Sequence, residues 1–528
     1  MFHGIYMNEV GSQITAANQV SQSLSICLGT APKQVEKPQL IYNLSEYKEK
    51  FGAGGTLYEA ADVFFNIYNI APAVFINVLD KSKHFNEIEK EYEGVTTFKL
   101  TGNVDSDTIK ITTGEFIPAE ELVADEDFEV EVDEVTDEDT GETEISKTFK
   151  LLNSVLNDKV KISYRLTETA LGGDAIQTEI TLTTSQVFEL PSDTIVESVT
   201  AETVEVNTLR DVGFAVEGDT VALFLGVTLV DGKFKVTYNE IDESKVTGDD
   251  IISALDKLDS IYARFNLTPG ILIAPKFSLA NDVAAALASK AKTIDAMAIN
   301  DIDAESYTAA IEQKNTSGLS HGNLITCFPK VTLEGKEYFL STHLAALMNV
   351  VDFDSDDIPY VSPSNHNLMI DGAICNGKEI YLNLEQANLL NAAGICTAYS
   401  YTNWKFWGNL TSLGENADFK DKWISVRRMC NFLKWYFKIT YFQNLDQPIN
   451  LRQIESILQS ANIYLGALAS RGILLGGELF FNEEDNPQTS LANGELNFRL
   501  QILPPPPAQT INISLEINLN YFENLYTA

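Results

Sequence analysis

Five histidines stand at His3, His84, His321, His343 and His366, without the HExxH or HxxxH spacing that sets two imidazoles on one helix face for a metal. Five cysteines (Cys27, Cys327, Cys375, Cys396, Cys430) form no CxxC pair. They read as buried, reduced thiols, as in a protein assembled in cytoplasm. A nucleophile elbow of the GxSxG type is absent. The Gly-rich loop at residues 52–55 lacks both the GxGxxG and the GxxxxGK[ST] spacing, so it reads as a turn and not a phosphate cradle. Residues 137–144, DEDTGETE, lack the ligand spacing and closing Glu of a calcium loop. Catalytic, cofactor-binding and metal residues are therefore each expected to be none, and the chain is expected not to be an enzyme.

Two other patterns do carry information. Lys420, Lys422, Arg427, Arg428, Lys434 and Lys438 cluster on or beside a helix in a chain of net charge −38. The apolar residues Trp423, Val426, Cys430, Leu433 and Phe437 recur there at three- and four-residue spacing, so that stripe is expected to pack inward and most of the charges to face out. Such a patch could dock an acidic partner or be no more than a solvated helix face.

The second pattern lies at the C-terminal end. A helix is expected over residues 451–471, stopping at Gly472, then strands over 473–481 and 494–503. Pro504, Pro505, Pro506 and Pro507 follow as a stiff extended spacer. Beyond them Ile511, Ile513, Leu515, Ile517, Leu519 and Tyr521 alternate at period two, a strand in need of a sheet in the same molecule or in a neighbour. Near the other end Ile5, Tyr6 and Val10 have similar character and precede a polar segment suited to a flexible arm.

Elements that would position these features are legible in outline. A βαβ unit is expected from strands at 271–274 and 294–300 around a helix at 281–292, with 75–79 pairing into the same sheet. Helices are expected over 342–350, with Ser341 or Thr342 as N-cap, and over 384–393, between Asn383 and Gly394. From residue 94 to 246 the helical period gives way to short alternating strands, with DGK at 231–233 as a hairpin turn. Two loosely similar stretches there, KVKISYRLTE and GKFKVTYNEIDESKVT, suggest two small β modules in tandem. Residues 115–146 hold no Lys or Arg, and nearly half are Asp or Glu, which reads as a solvated, self-repelling surface.

Composition bounds the class. A chain of 528 residues with 45% apolar residues is expected to fold as several domains. The strong negative charge argues against nucleic-acid binding and favours solubility of the free subunit. The run at 221–230 is too short to cross a bilayer, so no membrane insertion is expected, and no export signal is read at the N-terminus.

Several phrases resemble the contractile tail sheath protein family, the sheaths of phage tails, tailocins and other contractile injection systems. HGIYMNEV at 3–10 is similar to that family's opening PGVYVEEV, and ICLGTAP at 26–32 to the strand and turn that follow it. FINVLD, TPGILIAP, FWGNLT and VRRM fall in the family's order, and GELFFNEEDNPQTSLANGELNFRLQILPPPPAQTINISLEI resembles its ending. One departure is Leu410, where the family often has arginine, so no role for that arginine carries over.

The resemblance implies an α/β (α+β) multidomain fold: a core of mixed β-sheet with flanking helices, plus an inserted all-β region of one or two small modules. Its divisions would be an N-terminal arm (1–20), an α/β frame (21–90 and 247–400), an acidic outer insertion (91–246), a C-terminal core facing the tube (401–509) and a strand arm (510–528). It implies a virion tail component assembled in host bacterial cytoplasm. Copies would stack as hexameric rings around a tail tube and contract to drive it through a cell envelope, with tube, baseplate and tail terminator proteins as partners. No cofactor is implied. The basic helix would be the tube contact, and the two terminal strands the inter-subunit arms. A tailocin or extracellular injection particle is an alternative within the class. An acidic β-rich secreted adhesin or surface-layer protein is one outside it.

Overall fold

The computed structural model describes residues 23–93 and 242–525 and, between them, mainly the strands of 95–241. The chain divides into two compact units, one built from the sequence up to His84 and from Asp242 onward, the other from Phe85–Ile241.

In the first unit, β1 (Leu24–Gly29) is buried along its whole length, as expected for a parallel strand covered on both faces. It is followed by β2 (Gln39–Ile41), α1 (Leu44–Phe51), α2 (Gly55–Ala61) and β3 (Ala73–Asn77). After α3 (Gly248–Ala254) come β4 (Pro269–Ile273), α4 (Asn281–Thr293), β5 (Met297–Asp301), α5 (Tyr307–Ser317), β6 (Leu324–Cys327) and α6 (Leu340–Phe353). The frame closes with α7 (Leu384–Ala392), β7 (Ile395–Ser400) and β8 (Trp404–Trp407). These strands form one eight-stranded mixed sheet in the order β2-β3-β1-β4-β5-β6-β7-β8. Its interior pairs are parallel, and both edge pairs, β2 with β3 and β7 with β8, are antiparallel.

Local chemistry explains many of the boundaries. Asp282 lies in the first turn of α4 and Lys290 and Lys292 in its last, each opposing the helix dipole. Asn383 and Gln386 form a reciprocal capping box at the start of α7, and Gly394 takes φ +80° just beyond its end. The start of α6 differs from expectation. It begins at Leu340, two residues before the expected start, and neither Ser341 nor Thr342 serves as its N-cap. Instead the Asp301 carboxylate, at the end of β5, accepts the Ser341 N–H (3.0 Å) and the Ser341 hydroxyl. Burial pushes that carboxyl up to about 6, against the lowering effect of Ser341.

Beyond β8 lie α8 (Ile424–Tyr441), α9 (Leu451–Ser470), β9 (Gly476–Phe480) and β10 (Arg499–Leu503). Asn450 caps α9 by accepting the Gln453 N–H, and Gly472 terminates it at φ +74°. Met429, Phe432 and Leu433 of α8 pack with Ile457, Ala461, Leu465 and Leu468 of α9 and with Leu479 of β9. The strands β9 and β10 pair antiparallel as an isolated two-stranded sheet.

Among the described residues of the second unit the secondary-structure elements are strands. The entering strand Phe85–Glu93 pairs antiparallel with the leaving strand Lys233–Ile241, which also pairs with Val104–Thr113. Thr143–Leu151 lies between Phe128–Thr136 and Val187–Leu190, and Lys159–Tyr164 between Ile176–Thr181 and Thr200–Thr203. Phe98, Leu100, Ile109, Ile111, Val236 and Tyr238 supply apolar packing. The hairpin turn expected at 231–233 and most of the acidic run 137–144 lie outside the described residues.

Candidate functional site

The basic stretch separates into three kinds of side chain. Arg428, expected in an outward patch, is instead buried in the first unit and donates from both terminal nitrogens to the carboxylate of Asp352 on α6, at 2.8 Å for Nη1. Burial raises the Asp352 carboxyl above the usual range, and Arg428 and the Ser23 hydroxyl (3.2 Å) pull against it. Arg427 also turns inward, to Asp421 (2.9 Å) and to Asn431 on the next turn of its own helix. Those two arginines therefore leave the expected surface, because a guanidinium on the flank of an apolar stripe reaches a carboxylate behind it.

Lys434 and Lys438 are half exposed, yet both donate to one buried carboxylate, Asp295, with Lys434 at 2.8 Å. Burial pushes Asp295 up, but the hydrogen bonds from the two lysines outweigh it and hold the carboxyl below its usual range. The Trp435 ring N–H donates to the Ile294 carbonyl (2.9 Å), so this row of α8 side chains fastens the helix to the α4–β5 loop. Lys420 and Lys422 remain. Lys420 is exposed beside Asp421, and Lys422 lies over the Trp423 ring at 5.1 Å. The buried stripe of α8 runs through Ile424, Val426, Met429, Phe432 and Leu433, leaving Cys430 and Phe437 half-buried.

At the C-terminal end the expected strand does not form within the chain. Residues 504–518 form no strand, and a 3-10 turn follows at Leu519–Leu525. Ile511, Ile513, Leu515 and Ile517 are between 77% and 88% exposed. A strand is stable only on a partner edge, and among the described residues none is paired with them. Nearby, β9 and β10 form a sheet of only two strands. Ile5, Tyr6 and Val10 lie outside the described residues.

The titratable residues of the frame have structural surroundings. His343 is buried with Nδ1 3.3 Å from the Tyr68 hydroxyl, and burial pushes it down to about 3. His84 accepts the Asp80 N–H at Nδ1 and faces Asp250 with Nε2 at 3.3 Å. Burial pushes the thiols of Cys27, Cys327 and Cys396 up. Among the described residues no three His, Cys, Asp or Glu side chains gather as metal ligands, and no helix is long and apolar enough to cross a membrane.

No family model matches the chain. The tail sheath protein of Burkholderia phage BcepMu is 28% identical over 316 residues, covering 55% of this chain and 66% of that one. The tail sheath protein of Escherichia phage P2 is 23% identical over 166 residues, or 31% and 41% of the two chains. Over these stretches the chain is similar to phage tail sheath proteins. A putative prophage major tail sheath protein of Pseudomonas aeruginosa (strain UCBPP-PA14) is 23% identical over 263 residues, covering 48% of this chain and 66% of that one. The sequence spans about two thirds or less of the curated sheath relatives it matches. Among solved structures, the anti-feeding prophage baseplate in contracted state aligns over 98% of both chains with TM-score 0.49 and 11% identity, a loose likeness.

Proposed function

We propose that the chain is a non-enzymatic structural subunit of a contractile tail sheath. Copies assemble as stacked hexameric rings around an inner tube, and the array shortens to drive that tube through a cell envelope. The observation that carries the reading is the exposed alternating segment 511–517 in the same molecule as a two-stranded hairpin. A hairpin with an open edge and a strand without a sheet are complementary halves of one contact, and two copies satisfy each other where one does not. Such contacts are heterologous, so they propagate into an open array. The kinship with tail sheath proteins supports the same reading.

Within that assembly the second unit is an outer decoration, and 1–20 and 510–528 are the arms that link copies. Lys420 and Lys422 are the candidate tube contacts, and baseplate and terminator proteins bound the array at its ends. The particle is a virion tail put together in the host cytoplasm. Contraction needs no nucleotide, because an extended lattice held in a kinetic trap relaxes to a lower-energy packing.

The test is electron microscopy of the purified chain at high concentration. Long striated tubes are the expected result. A population that stays monomeric, alone and with the cognate tube, overturns the proposal.

A further inference from the structure

Two serines at the start of β1 reach the same helix. Residues 23 and 25 share one side of the extended chain by its two-residue alternation, and residues 349 and 352, three apart, share one face of α6. Ser25 and Asn349 are both buried, and the Ser25 hydroxyl donates to Oδ1 (3.3 Å) and accepts from Nδ2 (3.1 Å) of Asn349. The Ser23 hydroxyl donates to Oδ2 of Asp352 at 3.2 Å. The first contact ends at α6. The second goes further, because the same carboxylate also anchors Arg428 of α8.

Asp352 Oδ2 is a shared acceptor. It receives the Ser23 hydroxyl and Nη2 of Arg428, while Nη1 of Arg428 donates to Oδ1 at 2.8 Å. The Asp352 side chain is 0% exposed, so these donors take the place of water around its charge. Burial raises the carboxyl, and Arg428 and Ser23 oppose that rise. With the Ser23 hydroxyl withdrawn, the buried charge has one donor fewer, and the joint between α6 and α8 weakens with it.

Two further features make Ser23 the movable member. It stands just ahead of β1, where the chain enters the sheet, and outside the ladders that β1 makes with β3 and β4. It also lines a cavity of about 340 Å³ with Leu24, Ile70, Pro72, Asn349 and Phe353, which gives its side chain room to leave Oδ2. Arg428 is enclosed by contrast, on a helix whose Met429, Phe432 and Leu433 pack into the C-terminal core. A pull on the chain ahead of Ser23 therefore acts first on this hydroxyl. Its effect passes to α8 through one carboxylate and not through the sheet.

We propose that Asp352 couples the entry point of β1 to α8, so that displacement of Ser23 loosens the Arg428 joint and the helix that follows Lys420 and Lys422. In the array, tension on residues 1–20 from a second copy supplies the displacement, and contact with a neighbour is relayed to the helix beside the candidate tube contacts. The source of that tension rests on reading residues 1–20 as an inter-subunit arm. The coupling itself is a property of one chain.

Residue-resolved amide exchange on the full chain, kept monomeric by dilution, tests the coupling, with the α4 amides as the reference for global stability. Relative to α4, Ser23→Ala is expected to speed exchange at 429–433 by about ten-fold, the weight of one hydrogen bond to a charged group. Ser23→Thr, which keeps the hydroxyl, should leave 429–433 unchanged. Ser25→Ala should also leave them unchanged, because it removes the neighbouring contact to α6 and spares Asp352. Acceleration at 429–433 in all three variants alike assigns the effect to general loosening of β1 and overturns the coupling. Exchange there unaltered by Ser23→Ala overturns it as well. Tubes of normal length from a chain lacking residues 1–19 overturn the arm as the source of tension, whatever the exchange shows, so the two failures are read apart.

Discussion

Arg428 and Asp352 form a buried ion pair that joins α8 to α6, 1% and 0% exposed at their side chains. Removing one partner strands the other without solvent. Arg428→Met is expected to cost about 3–5 kcal/mol in denaturant unfolding, and Arg428→Met with Asp352→Leu to recover most of it. The single mutant should also respond to pH. Burial already raises the Asp352 carboxyl, and loss of Arg428 removes an opposing influence, so the folded state binds a proton more readily than the unfolded state. The contribution of Asp352 to the stability of Arg428→Met should therefore be fully present below the unfolded carboxylate pKa of about 3.9 and be lost as pH rises through the folded value. A flat profile from pH 4 to 7 would contradict this assignment.

Asp295 gives the opposite sign. Its carboxyl is held low by Lys434 and Lys438 in spite of burial, so its contribution is present above about pH 3.9 and is lost as pH falls through the lower, folded value. Asp295 has φ +52°, a conformation asparagine tolerates, so Asp295→Asn tests charge with little backbone strain. A loss of about 1–3 kcal/mol is expected, with faster amide exchange along α8.

Lys420→Glu with Lys422→Glu should leave the melting temperature nearly unchanged, because exposed charges contribute little to stability. Tube co-sedimentation should weaken, most at low salt where attraction is least screened. Lys434 does not belong in that test, since its ammonium holds Asp295.

The His84 carbonyl accepts the Asp242 N–H at 2.9 Å, so the chain leaves the first unit and returns to it at nearly one point. Replacing residues 85–241 by a short Gly/Ser linker should give a soluble protein with a single cooperative unfolding transition. Aggregation of every linker length tried would show that the frame needs the second unit to fold.

Deletion of residues 510–528 should change unfolding free energy by less than about 0.5 kcal/mol, as for surface changes remote from the core. The side chains of 511–517 are largely exposed in the single chain, so little packing is lost. Deleting residues 1–19 should also leave a folded monomer. Each truncation is expected to abolish tubes in electron micrographs, and tubes of normal length from both would refute the arm assignment.

What the sequence determined by itself was local. Asn383 with Gln386 and Gly394, or Asn450 with Gly472, mark helix ends because a cap is made within a few residues of its own backbone. The parallel strands were readable as short apolar runs for a related reason, since both of their faces are covered. Tertiary structure decided what depended on distant partners. Helical periodicity placed Arg428 on a flank of α8, but only Asp352, 76 residues away, determines that it turns inward. The start of α6 was missed because its N-terminus is satisfied by Asp301 from another strand. The alternation of 511–517 specifies a face but not an edge. On β9 both backbone groups of Leu479 are taken by Asn462 of α9, and backbone hydrogen bonds made by a distant side chain are revealed by no pattern of apolar residues.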